Sequence, residues 1–332
     1  MQFPRVSVIM PVYNSENFLK ESISSILNQT FSDFELLIGE DGSTDRSIEI
    51  IREFSDDRIR VIRNEKNLGI PRTLNRMIQA SKGEYIARQD SDDISLPARL
   101  AKQVDFLDKN PEIGLCGTNI TWFGSKSRRM FMPLQDEDIK AYMLVDNPVS
   151  QPTIMIRKSA MTVKYDQSLE VAEDYALCYE LSKETKLANL PDTLLNYRWH
   201  DTNISSTKEK KMLENANSIR AKIYKETLSY ELKENEALLL NLVGCSSLTN
   251  YTDLRLFEKF LVTIRSKNRE TAYYNEKVLH RRCFRLWSYA CLRFNNINMF
   301  RKIQVYLFSE LFTIYDLLHS ISIRNIRSLL AS

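Results

Sequence analysis

Residues that interrupt helices are scarce in only one part of this 332-residue chain. Seven of its eight Gly lie at or before Gly124 and all nine Pro at or before Pro191, so one Gly and no Pro remain from Asp192 onward. Gly and Pro punctuate turns and helix ends, so their absence from a Leu-, Lys-, Glu- and Asn-rich stretch implies helices there, after a mixed α/β part. Cysteine is also sparse. Cys116, Cys178, Cys245, Cys283 and Cys291 form an odd set without a C-x-x-C pair, which suits neither a disulfide framework nor a zinc site and reads as reduced, mostly buried thiols. No run approaches the roughly 18 uninterrupted apolar residues of a membrane-spanning helix. The nearest, Val305 to Leu318, is broken by Glu310 and Asp316. The first residues lack the basic start, apolar stretch and cleavage site of a secretory signal, so the expected location is the cytoplasm.

Charge of one sign is missing overall. The 46 Lys plus Arg against 43 Asp plus Glu give +3, which excludes a histone-like or strongly acidic chain. The balance conceals a dipole, because residues 207–332 carry +9 and the first 206 carry −6. From Lys277 on, nine basic and two acidic side chains interleave with Phe284, Trp287, Tyr289, Phe294, Phe300, Tyr306, Phe308, Phe312 and Tyr315. Such a segment suits either an anionic inner-membrane surface or a helical bundle whose aromatics form its own core. It also offers a surface for pairing with a second copy. It carries no nucleic-acid recognition motif, so nucleic acid is not an expected partner. Two domains are expected, at 1–206 and 207–332.

Within the first part, β-branched runs alternate with helical patterns. Strands are expected at Val6–Met10, Phe34–Ile38, Ile59–Ile62 and Tyr85–Ala87, and helices at Glu16–Asn28, Asp45–Phe54, Pro71–Ala80 and Pro97–Lys109. This βαβ alternation predicts a mainly parallel central sheet in an α/β domain, followed by an all-helical C-terminal region. Ligands of such sheets gather beyond the carboxyl ends of the strands. There stand Pro11-Val12-Tyr13-Asn14, Glu40-Asp41-Gly42-Ser43-Thr44-Asp45 and Gln89-Asp90-Ser91-Asp92-Asp93. The second segment is also a good turn with a helix cap. In the third, three carboxylates within four residues repel one another unless a cation or hydrogen-bond donors compensate, and Mg2+ or Mn2+ is the natural partner, bound together with substrate phosphates. A solvated acidic turn capping the helix at Pro97 is the plainer alternative.

Val-Ser-Val-Ile-Met-Pro-Val-Tyr-Asn, then Glu-Asp-Gly-Ser-Thr-Asp, then Asp-Ser-Asp-Asp after Gly-Glu-Tyr-Ile resemble, in this order and spacing, the family 2 glycosyltransferases. The resemblance covers about residues 4–205 and implies an inverting, nucleotide-sugar-dependent enzyme with a Rossmann-like A-type domain. It implies that Pro11, Val12 and Tyr13 line the nucleotide and that Asp41 meets the base, typically uracil. Glu40 departs from the Asp often found there. The resemblance further implies Asp92 as direct metal ligand, Asp90 near the ribose and the metal, and Asp93 behind them, with Mn2+ or Mg2+ as cofactor. Glu173-Asp174 resembles the family's Glu-Asp motif, in which the Asp is the catalytic base. The alternative is plain helix capping, since acidic residues stabilise a helix N-terminus.

Tyr197-Arg198-Trp199-His200 resembles a bacterial segment that closes over the donor diphosphate, which implies His200 on the metal or a phosphate oxygen and Arg198 against phosphate charge. Gln151 to Lys158 reads as a strand on the acceptor side, with Arg157 or Lys158 toward acceptor phosphate. The expected activity is transfer of one sugar from a nucleotide-diphosphate sugar, with a UDP-sugar the preferred donor, to a saccharide or polyprenyl-linked acceptor in bacterial surface polysaccharide (O-antigen or capsule) synthesis. The absence of a Gln-x-x-Arg-Trp segment argues against a processive synthase. The competing expectation is an inactive, transferase-like binding or assembly subunit.

Overall fold

A computed structural model describes residues 3–203, 207–245 and 251–293. The first six strands are β1 (Val6–Val12), β2 (Phe34–Glu40), β3 (Ile59–Arg63), β4 (Tyr85–Arg88), β5 (Ile94–Ser95) and β6 (Ile113–Gly124). They are followed by β7 (Arg128–Met130), β8 (Met155–Arg157) and β9 (Lys186–Trp199). All nine join one sheet in the order β3-β2-β1-β4-β8-β6-β9-β5, with β7 on β6. The β3-β2-β1-β4 half is parallel throughout, whereas β8 runs antiparallel to both β4 and β6. The chain winds outward from β1 to β3 and returns to place β4 on the other side of β1. That reversal opens a crevice at the carboxyl ends of β1 and β4.

β1 and β2 run two residues further than the sequence predicts. The end of β1 tolerates Pro11 for a simple reason. The Ile9 carbonyl accepts from Gln89 on the β4 side, so Pro11, two residues on, faces that same side beyond the end of β4, where no partner needs its missing N–H.

Helices α1 (Leu19–Leu27), α2 (Ser47–Arg52), α3 (Ile70–Ala80), α4 (Arg99–Lys109), α5 (Asp136–Tyr142) and α6 (Glu173–Glu184) complete this part. On α1 the buried Leu19, Ile23 and Ile26 recur at helical spacing, as do Leu100, Val104 and Leu107 on α4. These side chains meet Val6, Val8, Met10, Leu36 and Ile38 in one core. Full burial of each such side chain stabilises the fold by about 1.5–3 kcal/mol.

The stretch read as a strand over Gln151 to Lys158 is instead a 3-10 turn at Gln151–Thr153 followed by β8. Because β8 is antiparallel to β4 and pairs Arg157 with Tyr85, Arg157 and Lys158 lie at the amino end of β4, away from the crevice. Arg157 donates to the Leu107 carbonyl and Lys158 to the Ser81 carbonyl, so neither stands on the acceptor side.

The chain forms two compact units that divide between Ile219 and Arg220. That division falls within α7 (Glu209–Leu228), which is followed by α8 (Glu234–Cys245), α9 (Tyr251–Thr271) and α10 (Glu276–Arg293). Tyr224, Phe257, Phe260, Phe284 and Trp287 are buried in the second unit. Two of the aromatics read as core or lipid-facing are thus core; those from Phe294 onward lie outside the described residues. Cys116, Cys178, Cys283 and Cys291 are free and buried, and burial pushes the Cys116 thiol up to about 12. Among the described residues no helix is long and apolar enough to cross a membrane.

Candidate active site

Short polar links sew together the loops that follow β1, β2 and β4. Asn14, in the left-handed region at φ 48°, accepts from the Thr44 N–H at 2.9 Å. Asp45 accepts from the Ser47 and Glu16 N–H groups, and the hydroxyls of Ser15 and Ser91 lie 2.7 Å apart. Gly42 permits the turn after Asp41, since its φ is +72° and a Cβ there would come within 2.7 Å of the Lys66 backbone. The buried Asp41 carboxylate accepts from Asn64 Nδ2 at 2.6 Å and from the Leu68 and Gly69 N–H groups at 2.9 and 3.0 Å. It thereby fastens residues 64–69 over the end of β2. Val12 keeps its side chain in the core, and its carbonyl accepts from the Asp41 N–H, so it can offer a ligand only backbone. Tyr13 is exposed.

The acidic segment after β4 is held on one side by the end of β9. Asp93 Oδ1 accepts from the Arg198 N–H at 2.8 Å, and Arg198 Nε donates to the Asp92 carbonyl at 2.9 Å. The Arg198 guanidinium lies between the Phe18 and Phe123 rings and pairs with Glu21. His200 stacks on Phe18 and brings Nε2 to 3.0 Å from Asp92 Oδ2, while Thr202 Oγ1 sits 2.7 Å from its Nδ1. Asp90 pairs with the buried Arg88 at 2.5 Å. Burial raises the Asp90 carboxyl, an effect Arg88 partly offsets; the wholly buried Asp93 is raised further, by burial and then by Asp92 and Asp90. The like charges of neighbouring carboxylates thus add to the effect of burial at this site.

Among the described residues no three His, Cys, Asp or Glu side chains gather into a ready metal cage. Asp92 Oδ2 and His200 Nε2 converge as a pair, and a hard cation that keeps its other positions for phosphate oxygens and water needs no more from protein.

Glu173 and Asp174 open α6 just after Ala172, whose φ of 62° is left-handed and uncommon for a residue with a Cβ. Asn147 Nδ2 donates to Asp174 Oδ2 at 2.6 Å, and Gln151 Nε2 donates to Glu173 Oε1 at 3.0 Å. Burial pushes Glu173 up to about 8, with Asp174 beside it adding to the shift. Burial also pushes Asp174 up to about 6, against the Tyr175 N–H, which favours its ionised form. Asp90 acts electrostatically on both, so the acidic segment and the start of α6 lie within electrostatic reach of each other.

Sequence reasoning missed the side chains that join these parts. Arg99, fully buried on α4, donates to Gln89 Oε1, Ser95 Oγ, the Pro152 carbonyl and the Arg88 carbonyl at 2.7–3.0 Å. Gln89 Nε2 in turn donates to the Asp90 and Asp93 carbonyls. Gln103 Nε2 donates to the Thr153 carbonyl at 2.7 Å. The acidic segment is thus tied to the turn that carries Gln151, and through Gln151 to Glu173. A signal existed: Arg99 and Gln103 are polar residues spaced i, i+4 beside the apolar stripe of α4.

Residues 7–161 match the model of the family described as Glycosyl transferase family 2. An uncharacterized glycosyltransferase of Haemophilus influenzae is 34% identical over 247 residues, which cover 70% of this chain and 75% of the relative. The O-antigen biosynthesis glycosyltransferase WbnJ of Escherichia coli is 31% identical, over 72% of this chain and 93% of its own. Among solved structures, S. aureus TarS 1-349 in complex with UDP-GlcNAc is similar with a TM-score of 0.58 at 16% identity, covering 86% of this chain and 90% of that one. Mannosyltransferase PcManGT from Pyrobaculum calidifontis, in complex with GDP-Man and Mn2+, is similar with a TM-score of 0.54 at 14% identity, over 86% and 88%. At such identities the likeness shows the fold, that of an A-type glycosyltransferase. With the motif-bearing loops set at the ends of that sheet, and with relatives matched over most of their length, the chain belongs to the family 2 glycosyltransferases.

Proposed function

We propose that the protein is a metal-dependent, inverting glycosyltransferase that moves one sugar from a nucleotide-diphosphate sugar to a saccharide or lipid-linked saccharide acceptor in surface polysaccharide synthesis. One observation carries the reading. The Asp174 carboxylate, raised by burial and held by Asn147, lies within electrostatic reach of Asp90, two residues before the Asp92 that meets His200, which supports a proton acceptor and a diphosphate anchor working together. WbnJ, named for O-antigen biosynthesis, supports the pathway class, and the UDP-GlcNAc and GDP-Man complexes of the structural neighbours support a nucleotide-sugar donor. A UDP-sugar is the donor of choice.

In this reading Asp92 and His200 would hold Mn2+ or Mg2+, which would supply charge neutralisation for a nucleoside diphosphate leaving group. The base region between Pro11, Tyr13 and the Asp41-fastened loop receives the nucleoside. Arg198 keeps the Asp92 backbone in place and adds positive charge near the phosphates. Asp174 takes the acceptor hydroxyl proton as that oxygen attacks the anomeric carbon from the face opposite the leaving group. Its pKa of about 6 leaves it ionised at neutral pH yet more basic than an ordinary carboxylate. Glu173, at about 8, stays protonated there, so the two neighbours need not both be charged. No covalent sugar–enzyme intermediate is required. The helical second unit is assigned to membrane-surface contact or self-association.

The test is a melting-temperature panel of UDP, dTDP, GDP and CDP, each with and without Mn2+, on wild type and Asp92→Ala. A ligand that binds only the folded state raises the melting temperature. A metal-dependent rise with one nucleotide, lost in Asp92→Ala, supports the reading and names the donor class; no rise with any nucleotide refutes it.

A further inference from the structure

The first 206 residues are net acidic, yet between Glu112 and Asp136 every charged side chain is positive: Lys126, Arg128 and Arg129. They stand on the hairpin that joins β6 to β7. All three are exposed, and none has a carboxylate partner among the described residues. The hairpin is built firmly. Gly124, at φ +97°, brings the chain so close to the Trp199 carbonyl that a Cβ would lie 2.6 Å from it. The Ser125 N–H and hydroxyl both donate to that carbonyl, each at 3.0 Å.

Strand register sorts the neighbouring side chains onto two faces. Trp122 lies opposite Arg128 on β7 and opposite Tyr197 on β9, with Trp199 two residues beyond Tyr197. Trp122 and Trp199 stack with centroids 4.6 Å apart. The alternate face carries Phe123 and Arg198, followed by His200; Arg198 and His200 meet Phe18 and the acidic segment, and Phe123 lies against Arg198. The Trp face carries Arg128 and backs onto the candidate donor site, while Arg129, opposite Thr121, stands on the alternate face, so the hairpin presents cations on both faces of its tip. Just past β7, Phe131 is 73% exposed.

Stacking of a sugar ring on this aromatic group is the obvious use, but Trp122, tilted against the Trp199 ring, and Lys126, with Nζ 3.9 Å from its centroid, already lie against it. What remains at the hairpin tip is three exposed cations without carboxylate partners among the described residues and an exposed Phe, flanked by Trp and Tyr whose polar edges suit an interface. Basic side chains favour anionic headgroups, and amphipathic aromatics sit at the boundary between water and hydrocarbon. We infer that the β6–β7 hairpin docks the catalytic unit on an anionic lipid surface, with Lys126, Arg128 and Arg129 on headgroup phosphates and Phe131 dipping toward the acyl region. This rests on the proposed function only for its purpose, since a lipid-linked acceptor would then reach the site without leaving the bilayer.

The test is co-sedimentation of the full chain with vesicles of phosphatidylcholine alone or with about 30% phosphatidylglycerol, a composition that supplies the negative surface potential. Wild type, Lys126→Glu/Arg128→Glu/Arg129→Glu, Phe131→Ser and Arg281→Ser/Arg282→Ser/Arg285→Ser are compared. Wild type binds the anionic vesicles, the hairpin triple variant binds them at least about tenfold more weakly, and Phe131→Ser also weakens binding. The hairpin variants keep the wild-type melting temperature and its rise with nucleotide and Mn2+, which shows that they fold. Hairpin variants that bind like wild type overturn the proposal, as does binding abolished solely by the α10 substitutions, or wild type that ignores anionic vesicles. Vesicle binding without any nucleotide response would instead refute the transferase reading and leave the docking surface standing.

Discussion

Replacing Asp174 by Asn keeps the shape and removes the proton acceptor. Asn147 Nδ2, now 2.6 Å from a carboxylate oxygen, can donate to the new amide oxygen, and the Tyr175 N–H has the same option if the amide oxygen turns toward it. The expected loss is therefore chemical. A positioned general base contributes about 10²–10⁴-fold, so kcat should fall by that factor while nucleotide affinity stays within about threefold. In wild type the rate should rise with pH through about 6, as Asp174 gives up its proton, and that limb should vanish in Asp174→Asn. Glu173→Gln separates base from neighbour. Gln imitates the protonated Glu173, so activity at pH 7 should hold while the stability profile changes. The pKa of about 8 is above the ordinary value for Glu, so the folded state binds the proton more tightly than the unfolded chain. The resulting stabilisation is complete below about pH 4.5 and is lost as pH rises through 8. Removing it should flatten the fall in stability between those limits by about 2–5 kcal/mol, read from urea unfolding at pH 5, 7 and 9. Transfer by Asp174→Asn at more than about a tenth of the wild-type rate, with its acid limb intact, would refute the assignment of the base.

His200→Ala should weaken the Mn2+-dependent nucleotide shift at least about tenfold while leaving any metal-free shift alone, measured by titrating Mn2+ in the melting assay. Arg99→Met removes a buried cation that serves four acceptors and takes from the Pro152 and Arg88 carbonyls their guanidinium donor, so unfolding free energy should drop by about 3–5 kcal/mol in urea. Gly42→Ala forces a side chain into a left-handed turn against the Lys66 backbone. It should cost about 1–3 kcal/mol and loosen the 64–69 loop, seen as faster amide exchange at Leu68 and Gly69.

Much of the site was legible because its chemistry is local. Asp90-Ser91-Asp92-Asp93 directly follows a buried strand, and carboxylates so crowded ask for compensation wherever the chain goes. Glu173 and Asp174 head a helix whose apolar pattern announces it. Arg157 and Lys158 went wrong for a topological reason: sequence shows that a strand exists but not its direction, and an antiparallel β8 carries its carboxyl end away from the crevice. Arg99, Gln103 and Asn147 were invisible because their partners are carbonyls and side chains up to 53 residues away.

The sequence by itself determined the α/β alternation, the helical second part and the acidic loops, since hydrophobic period, Gly and Pro usage and charge spacing act over a few residues. Only the tertiary structure decided that His200 meets Asp92 across 108 positions, and that one buried Arg holds the donor loop and the base-bearing turn together. It likewise decided that the exposed cations of the β6–β7 hairpin stand without carboxylate partners among the described residues. Those contacts depend on strand order, direction and register, which arise when distant segments share one core and leave no mark on any short stretch of chain.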